Sequence, residues 1–182
     1  MTFTQHYDSP LGGILLAADA VGLTGLWFDG QKYFARGLSP EREEQELPVL
    51  LEAKRWLDIY FTGKEPDFLP PLHPVGSAFR QLVWELLLQV PYGKTTTYGE
   101  IACKLAEKQK LPRMSAQAIG GAVGHNEISI IIPCHRVVGT NGSLTGYAGG
   151  IDKKMKLLEL EHADMRVFLC RRKARRDNEI FR

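Results

Sequence analysis

The stretch Lys64–Gly76, KEPDFLPPLHPVG, carries four prolines in thirteen residues. Proline has a fixed φ and no backbone N–H, so neither a helix nor a central strand runs through such a segment. A chain of 182 residues with this break inside it is expected to fold as two differently built parts, with an extended connector and a boundary at about residue 75. The text on the two sides differs accordingly. From Phe3 to Phe28, short apolar runs alternate with turn signals (FTQHY, SPLGG, ILLAADAVG, LTGLWF), the pattern of short antiparallel strands. A charged stretch, SPEREEQE, follows. From Pro48, PVLLEAKRWLDIYFTGK sets Leu50, Ala53, Leu57, Tyr60 and Phe61 on one helical face and offers Gly63 as a stop.

The second part reads as helical. SAFRQLVWELLLQVPYG puts Phe79, Leu82, Val83, Leu86 and Val90 on one stripe, with Ser77 as N-cap. In TYGEIACKLAEKQK, Thr97 precedes Glu100 by three residues, a capping-box spacing; Cys103, inside this helix, is expected in the core. KLPRM makes a short turn, and SAQAIGGAVG begins a second short helix at Ser115. Two helices joined this way form a helix-turn-helix candidate. The second is unusually bare: Ala116, Ala118, Gly120, Gly121, Ala122 and Gly124 leave little side-chain bulk. Each glycine weakens a helix by about 1 kcal/mol relative to alanine, so either tight packing or close approach of a partner to the backbone must offset it. ISIII (Ile128–Ile132) reads as a short buried strand, GTNGSLTGYAGG as a loop, and IDKKMKLLELE as a closing helix with Ile151, Met155 and Leu158 facing the core. The fold class is α+β: a small strand-rich N-terminal domain with a helix, then a mainly helical domain.

Composition narrows the class further. No apolar run approaches the ~20 residues that span a bilayer, and the start, MTFTQHYDSPLGG, has no basic region followed by an apolar core. The expected compartment is therefore the cytoplasm. Three cysteines, Cys103, Cys134 and Cys170, make neither a disulfide framework nor a zinc cluster. The histidines His6, His73, His125 and His162 have no metal-binding spacing, so no metal is expected. Charge is uneven. Arg166–Arg182 holds seven Lys/Arg against two Asp/Glu, net +5, which leaves −3 on residues 1–165 of a chain with overall charge +2. Such a tail suits a phosphate-contacting arm, although a solvated terminus explains it as well.

Cys134 lies between Pro133 and His135 in IIIPCHRVV. A free thiol titrates near ~8.5 and needs a base or a positive field to become a nucleophile. His135 is the nearest imidazole, yet neighbours in an extended chain point to opposite faces, so contact requires a bridging water or a turn at Pro133. On its own, a lone free cysteine is more often a small buried hydrophobe.

IPCHRV, followed by GSLTGYAGG and KLLELE and preceded by a helix-turn-helix, resembles the methylated-DNA–protein-cysteine methyltransferases (O6-alkylguanine-DNA alkyltransferases). The resemblance is strongest over residues 77–162, and PCHRV is its most specific part. It implies a ribonuclease-H-like domain over 1–75, a DNA-binding and alkyl-acceptor domain over 76–165 and a basic tail over 166–182. It also implies direct damage reversal: irreversible, stoichiometric transfer of the alkyl group from O6-alkylguanine, with O4-alkylthymine as a further candidate substrate, to Cys134. His135 would act through water as base, Glu161 would orient it, Asn126 would brace the turn, and Tyr98 would assist protonation of guanine. Tyr147, the N–H of Ala148, the carbonyls of Cys134 and Val137, Val123 and Lys154 would line the pocket. Ser115, Ala116, Gln117, Gly120, Gly121, Arg113 and Arg136 would face DNA. The resemblance further implies a monomer without cofactor on the minor groove of double-stranded DNA, the damaged nucleotide flipped out, and no membrane association.

Two positions depart from the family pattern. Gln117 stands where many members carry an arginine that fills the gap left by the flipped base. Glu127 sets a negative charge beside the DNA-facing turn. Three other functions compete with repair. A turnover Cys–His–Glu hydrolase leaves the bare helix unexplained, an alkyltransferase-like binding module would lack Cys134, and a plain helix-turn-helix regulator would not need PCHRV.

Overall fold

A computed structural model describes residues 1–168. Three strands, β1 (Thr2–Ser9), β2 (Gly12–Ala18) and β3 (Leu23–Phe28), pair antiparallel in sequence order. The turns use the chemistry of their residues. Ser9 Oγ donates to the Gly12 carbonyl at 2.6 Å, and Asp19 Oδ1 accepts from the backbone of Val21 and Gly22. A fourth strand, β4 (Arg42–Glu44), joins the free edge of β1 in parallel. It lies inside the charged stretch and all three of its residues are exposed, so no apolar alternation signals it. Its charges blunt the sheet edge against further pairing.

Helix α1 (Pro48–Tyr60) starts on proline at its first turn and buries Leu50, Ala53, Trp56, Leu57 and Tyr60; Trp56 joins the expected stripe, while Phe61 caps the helix end and is only partly buried. The proline-rich connector runs extended along β3. Leu23 N–H donates to the Pro71 carbonyl and His73 N–H to the Leu23 carbonyl, both at 2.8 Å.

Helix α2 (Ala78–Leu88) is capped by Ser77 but buries Val83, Trp84, Leu86 and Leu87, a stripe rotated from the expected one; Phe79 and Leu82 are only partly buried. Trp84 sets the rotation, because its indole N–H donates to the Ala122 carbonyl at 3.0 Å. Strand β5 (Thr96–Thr97) leads into α3 (Tyr98–Lys108), where both halves of the Thr97–Glu100 capping box form. Cys103 does not reach the core: α3 buries Ile101, Ala102, Leu105 and Ala106, and Cys103 is exposed between them.

Helix α4 (Ala116–Gly124) is capped by Ser115 and buries only Ile119, Ala122 and Val123. The expected strand over Ile128–Ile132 does not form. These residues are buried, but the backbone turns there, and Ile130 adopts a positive φ of 68°. A single bridge, Leu26 to Ile128, is all the strand pairing this run makes. It fastens β3 to the segment leading into the cysteine. A 3-10 turn, Cys134–Arg136, passes into β6 (Val137–Val138), which pairs in parallel with β5.

Helix α5 (Ile151–Leu160) closes the second half. Its buried face is Lys154, Leu157 and Leu158, whereas Ile151 is exposed and Met155 only partly buried. One continuous core joins both halves of the chain, from Ile14 and Leu57 to Ile128 and Leu157.

Candidate active site

Pro133 lacks an N–H, and its ψ of 64° turns the chain out of extended conformation just before Cys134. The thiol and the imidazole therefore sit on a tight turn rather than on opposite faces of a strand. Asn126, in the tight passage that follows α4, braces this turn. Its side-chain N–H₂ reaches the carbonyls of Ile128 (3.2 Å) and Ile132 (2.8 Å) and the sulfur of Cys134 (3.2 Å), while its Oδ1 accepts from Ile128 N–H at 3.0 Å. One amide thus holds both ends of the loop and donates to the sulfur.

Cys134 is buried, at 5 % exposure. Burial pushes the Cys134 thiol up from its ordinary range; the Asn126 N–H, the charge of Lys154 and backbone N–H groups oppose this without cancelling it. At neutral pH the resting group is a thiol, so a base must take its proton.

His135 is fully buried, and its Nε2 lies 2.5 Å from Glu161 Oε1. Burial lowers its pKa below the ordinary 6.5, against the upward pull of Glu161. The ring is therefore neutral near pH 7. Glu161 can only accept when ionised, so Nε2 carries the proton and Nδ1 presents a lone pair. That Nδ1 has no protein hydrogen-bond partner among the described residues. The imidazole is thus a neutral base with its basic nitrogen uncommitted.

Glu161 caps α5 and is 1 % exposed. It accepts from Arg136 Nε (2.8 Å) and Nη2 (3.1 Å), from Gly93 N–H (3.2 Å) and from the Tyr60 hydroxyl (2.7 Å), besides His135. Burial alone would raise its pKa, but His135 and Arg136 overcome that and hold the carboxyl down at about 2.

Arg136 was expected to face DNA, and the structure corrects this. It is buried, forked onto Glu161, donates to the Val90 carbonyl at 2.6 Å and lies over the Tyr92 ring. A guanidinium so engaged has no reach to solvent phosphate; its role is to fix the carboxylate.

Lys154 is fully buried on α5, with its ammonium on the carbonyls of Val137 (2.5 Å) and Thr145 (3.2 Å). Burial lowers its pKa to about 8. Its charge faces Cys134, and it braces the loop carrying Tyr147 and Ala148. The Val137 carbonyl, assigned above to the substrate amine, already accepts from this lysine and keeps only its second lone pair. The Tyr147 hydroxyl is buried and unpartnered among the described residues. The Ala148 carbonyl accepts from Lys32 N–H of the strand-rich half at 3.0 Å. The Tyr98 hydroxyl, at the start of α3, donates to the Thr145 carbonyl at 3.2 Å, and burial followed by the Cys134 charge raises its pKa. Val123 is core within α4.

On the outer side, Arg113, Ser115, Ala116, Gln117 and Gly121 are exposed and Gly120 is partly so. A Cβ added at Gly121 or Gly124 would meet nothing within 4 Å. Packing within the chain therefore does not explain Gly121 or Gly124. Glu127 also departs from expectation. Its carboxylate accepts from the Trp27 indole at 2.7 Å, so it turns toward the strand-rich half rather than toward the outer face of α4. Among the described residues no cluster of His, Cys, Asp and Glu could hold a metal ion, and no helix is long and apolar enough to cross a membrane. The basic tail beyond residue 168, with Cys170, lies outside the described residues.

Sequence reasoning missed Tyr60, Tyr92 and Gly93 as neighbours of Glu161. Tyr60 fits an apolar helical stripe, and nothing in the pattern singles out its hydroxyl.

Comparison with known proteins supplies independent information. Residues 78–163 match the family model "6-O-methylguanine DNA methyltransferase, DNA binding domain", and residues 3–74 match "6-O-methylguanine DNA methyltransferase, ribonuclease-like domain". A methylated-DNA–protein-cysteine methyltransferase of Methanosarcina barkeri is 44% identical over 166 residues, covering 89% of this chain and 100% of the relative. One of Haemophilus influenzae is 39% identical over 161 residues, covering 87% and 86%. The crystal structure of Mycobacterium tuberculosis OGT in complex with DNA superposes with a TM-score of 0.74 at 40% identity, covering 91% of this chain and 99% of that one.

Proposed function

The chain belongs to the 6-O-methylguanine DNA methyltransferase family, and on that basis we propose that it repairs alkylated DNA by taking the alkyl group onto Cys134. In this reading residues 1–75 are the ribonuclease-like domain and 76–165 the part that binds DNA and accepts the alkyl group. The observation that carries the assignment is the enclosed chain from Asn126 to the Cys134 sulfur, beside an imidazole locked on Glu161 with its second nitrogen uncommitted.

The reaction needs a thiolate, a departing oxygen and a proton for the purine. His135 Nδ1 takes the Cys134 proton through a water molecule, and Glu161 stabilises the imidazolium that forms. The thiolate attacks the alkyl carbon at O6 of guanine. The carbon–sulfur bond forms as the carbon–oxygen bond breaks, and the electron pair stays on the purine, which is then protonated. Tyr98, held with its proton by burial, is the donor assigned to that step. The Ala148 N–H faces O6, the Tyr147 ring lines the pocket, and the Cys134 carbonyl with the free lone pair of Val137 receives the guanine amine. Lys154 supplies positive charge that favours the thiolate. The thioether has no route back to a thiol, so each chain reacts once, and no cofactor enters the chemistry.

A duplex conceals O6 in its stack, so the nucleotide leaves the helix for this pocket. The open face of α4, bare at Gly121, supports approach of its backbone to the minor groove. Gln117 fills the space of the everted base, Ser115, Ala116 and Gly120 line the contact, and Arg113 reaches phosphate. The protein acts as a monomer. The test is mass spectrometry after incubation with a duplex containing O6-methylguanine. One methyl group on the Cys134 peptide is expected, and none in Cys134→Ala; a methyl on another residue, or none in the wild type, refutes the assignment.

A further inference from the structure

Glu161 receives five donors, and one of them comes from the other half of the chain. Tyr60, the last residue of α1, is fully buried, and its hydroxyl donates to Glu161 Oε1 at 2.7 Å. That same oxygen holds His135 Nε2 at 2.5 Å, and the phenol oxygen stands only 3.5 Å from Nε2 itself. We infer that Tyr60 is a positioning residue for the alkyl transfer: by sharing Oε1 with His135, it sets how tightly the carboxylate holds the imidazole proton, and so the pH at which the base becomes available.

Three features support this role over simple packing. Phenylalanine would fill an apolar stripe equally well, and a buried hydroxyl without a partner is costly; this hydroxyl points at the catalytic carboxylate. The ring is held firmly, stacked on Trp56 at 5.1 Å between centroids and met edge-on by Phe61 and Tyr92. Finally, burial and the Glu161 charge drive the phenol well above its ordinary range. Tyr60 therefore remains a donor and never competes for the proton in flight.

The other charged and titratable groups facing the His135–Glu161 pair are Cys134 and Arg136 from the same turn, Lys154 from α5, and Tyr92 and Tyr147 from the surrounding loops. Arg136 holds both carboxylate oxygens whether or not Tyr60 is present. Removing the phenol hydroxyl thus leaves Glu161 ionised but gives Oε1 one donor fewer. Its remaining charge density falls on Nε2–H, the imidazolium is stabilised, and the proton on His135 persists to higher pH.

This inference rests on the assignment of Cys134, His135 and Glu161 above. Its test is the single-turnover alkylation rate of the full chain on an O6-methylguanine duplex, from roughly pH 5.5 to 9, for the wild type, Tyr60→Phe and Trp56→Phe. Tyr60→Phe keeps the ring and its packing. Its acid limb should move to higher pH, so that its rate falls about tenfold near the acid end and by less than about twofold at the alkaline end. Trp56→Phe loosens the same aromatic stack without touching the hydroxyl, and its limb should coincide with the wild type. A Tyr60→Phe profile that coincides with the wild type, that is lowered evenly at every pH, or that is shifted equally by Trp56→Phe overturns the inference. Failure of the underlying assignment is separate: it appears as methylation away from Cys134 in the wild type.

Discussion

At the scale of single residues the site depends on titratable groups buried within the fold. Glu161 is depressed to about 2 and His135 lies below 6.5. Both bind fewer protons folded than unfolded, so both contribute stability that is lost as pH falls. His135 loses its contribution as pH drops below its ordinary 6.5, and Glu161 loses its own between its ordinary 4.5 and about 2. Unfolding free energy measured against pH should therefore decline in two steps, and Glu161→Gln should abolish the lower one. Glu161→Gln should also leave Arg136 as an uncompensated buried charge, costing about 3–5 kcal/mol in chemical denaturation. Arg136→Lys should destabilise the fold without altering the salt dependence of DNA binding, because the guanidinium is spent on Glu161 and Val90. A slope smaller by about one unit would instead mean a lost phosphate contact. Lys154→Gln removes the positive charge that opposes the upward shift of the thiol, so Cys134 should react several-fold more slowly with a small thiol reagent near neutral pH.

At the scale of elements, legibility followed how apolar each buried face is. α1 was readable because its stripe is apolar throughout, and α3 because Thr97 and Glu100 cap it visibly. α5 was misread because the residue that turns inward is Lys154, whose ammonium finds two carbonyls; an apolar count passes over it and selects Ile151. β4 was missed because an exposed edge strand of three charged residues shows no alternation. Ile128–Ile132 has strand composition, but its conformation is dictated by Asn126, which closes the loop over it. In the site, Cys134 and His135 stand out as neighbours in PCHRV, whereas Asn126 and Glu161 are reached only through the family resemblance that this motif carries. The inward turn of Arg136 was not, since its sequence neighbourhood is the same for either direction. α4 invites a direct test. Gly121 faces open space, so Gly121→Ala should stabilise the fold by up to about 1 kcal/mol through helix propensity. Gly121→Leu should fold equally well yet weaken duplex binding. Equal affinity in both variants would remove the bare helix from the DNA contact.

At the scale of the whole molecule, the proline-rich connector separates two parts that nonetheless share a core. β3 pairs with the loop before the cysteine through Leu26 and Ile128, Lys32 touches Ala148, and Tyr60 reaches Glu161. The strand-rich half therefore supports the reacting turn from behind while α4 keeps its outer face clear. In the proposed reaction Cys134 becomes a nucleophile only with its base in place, and once alkylated it has no means of release. The most direct test of this account is the yield of repaired O6-methylguanine with DNA in large excess over protein. The account predicts that repair stops at one lesion per chain, with every chain methylated on Cys134. Repair that continues past one equivalent, with Cys134 unmodified, would contradict it.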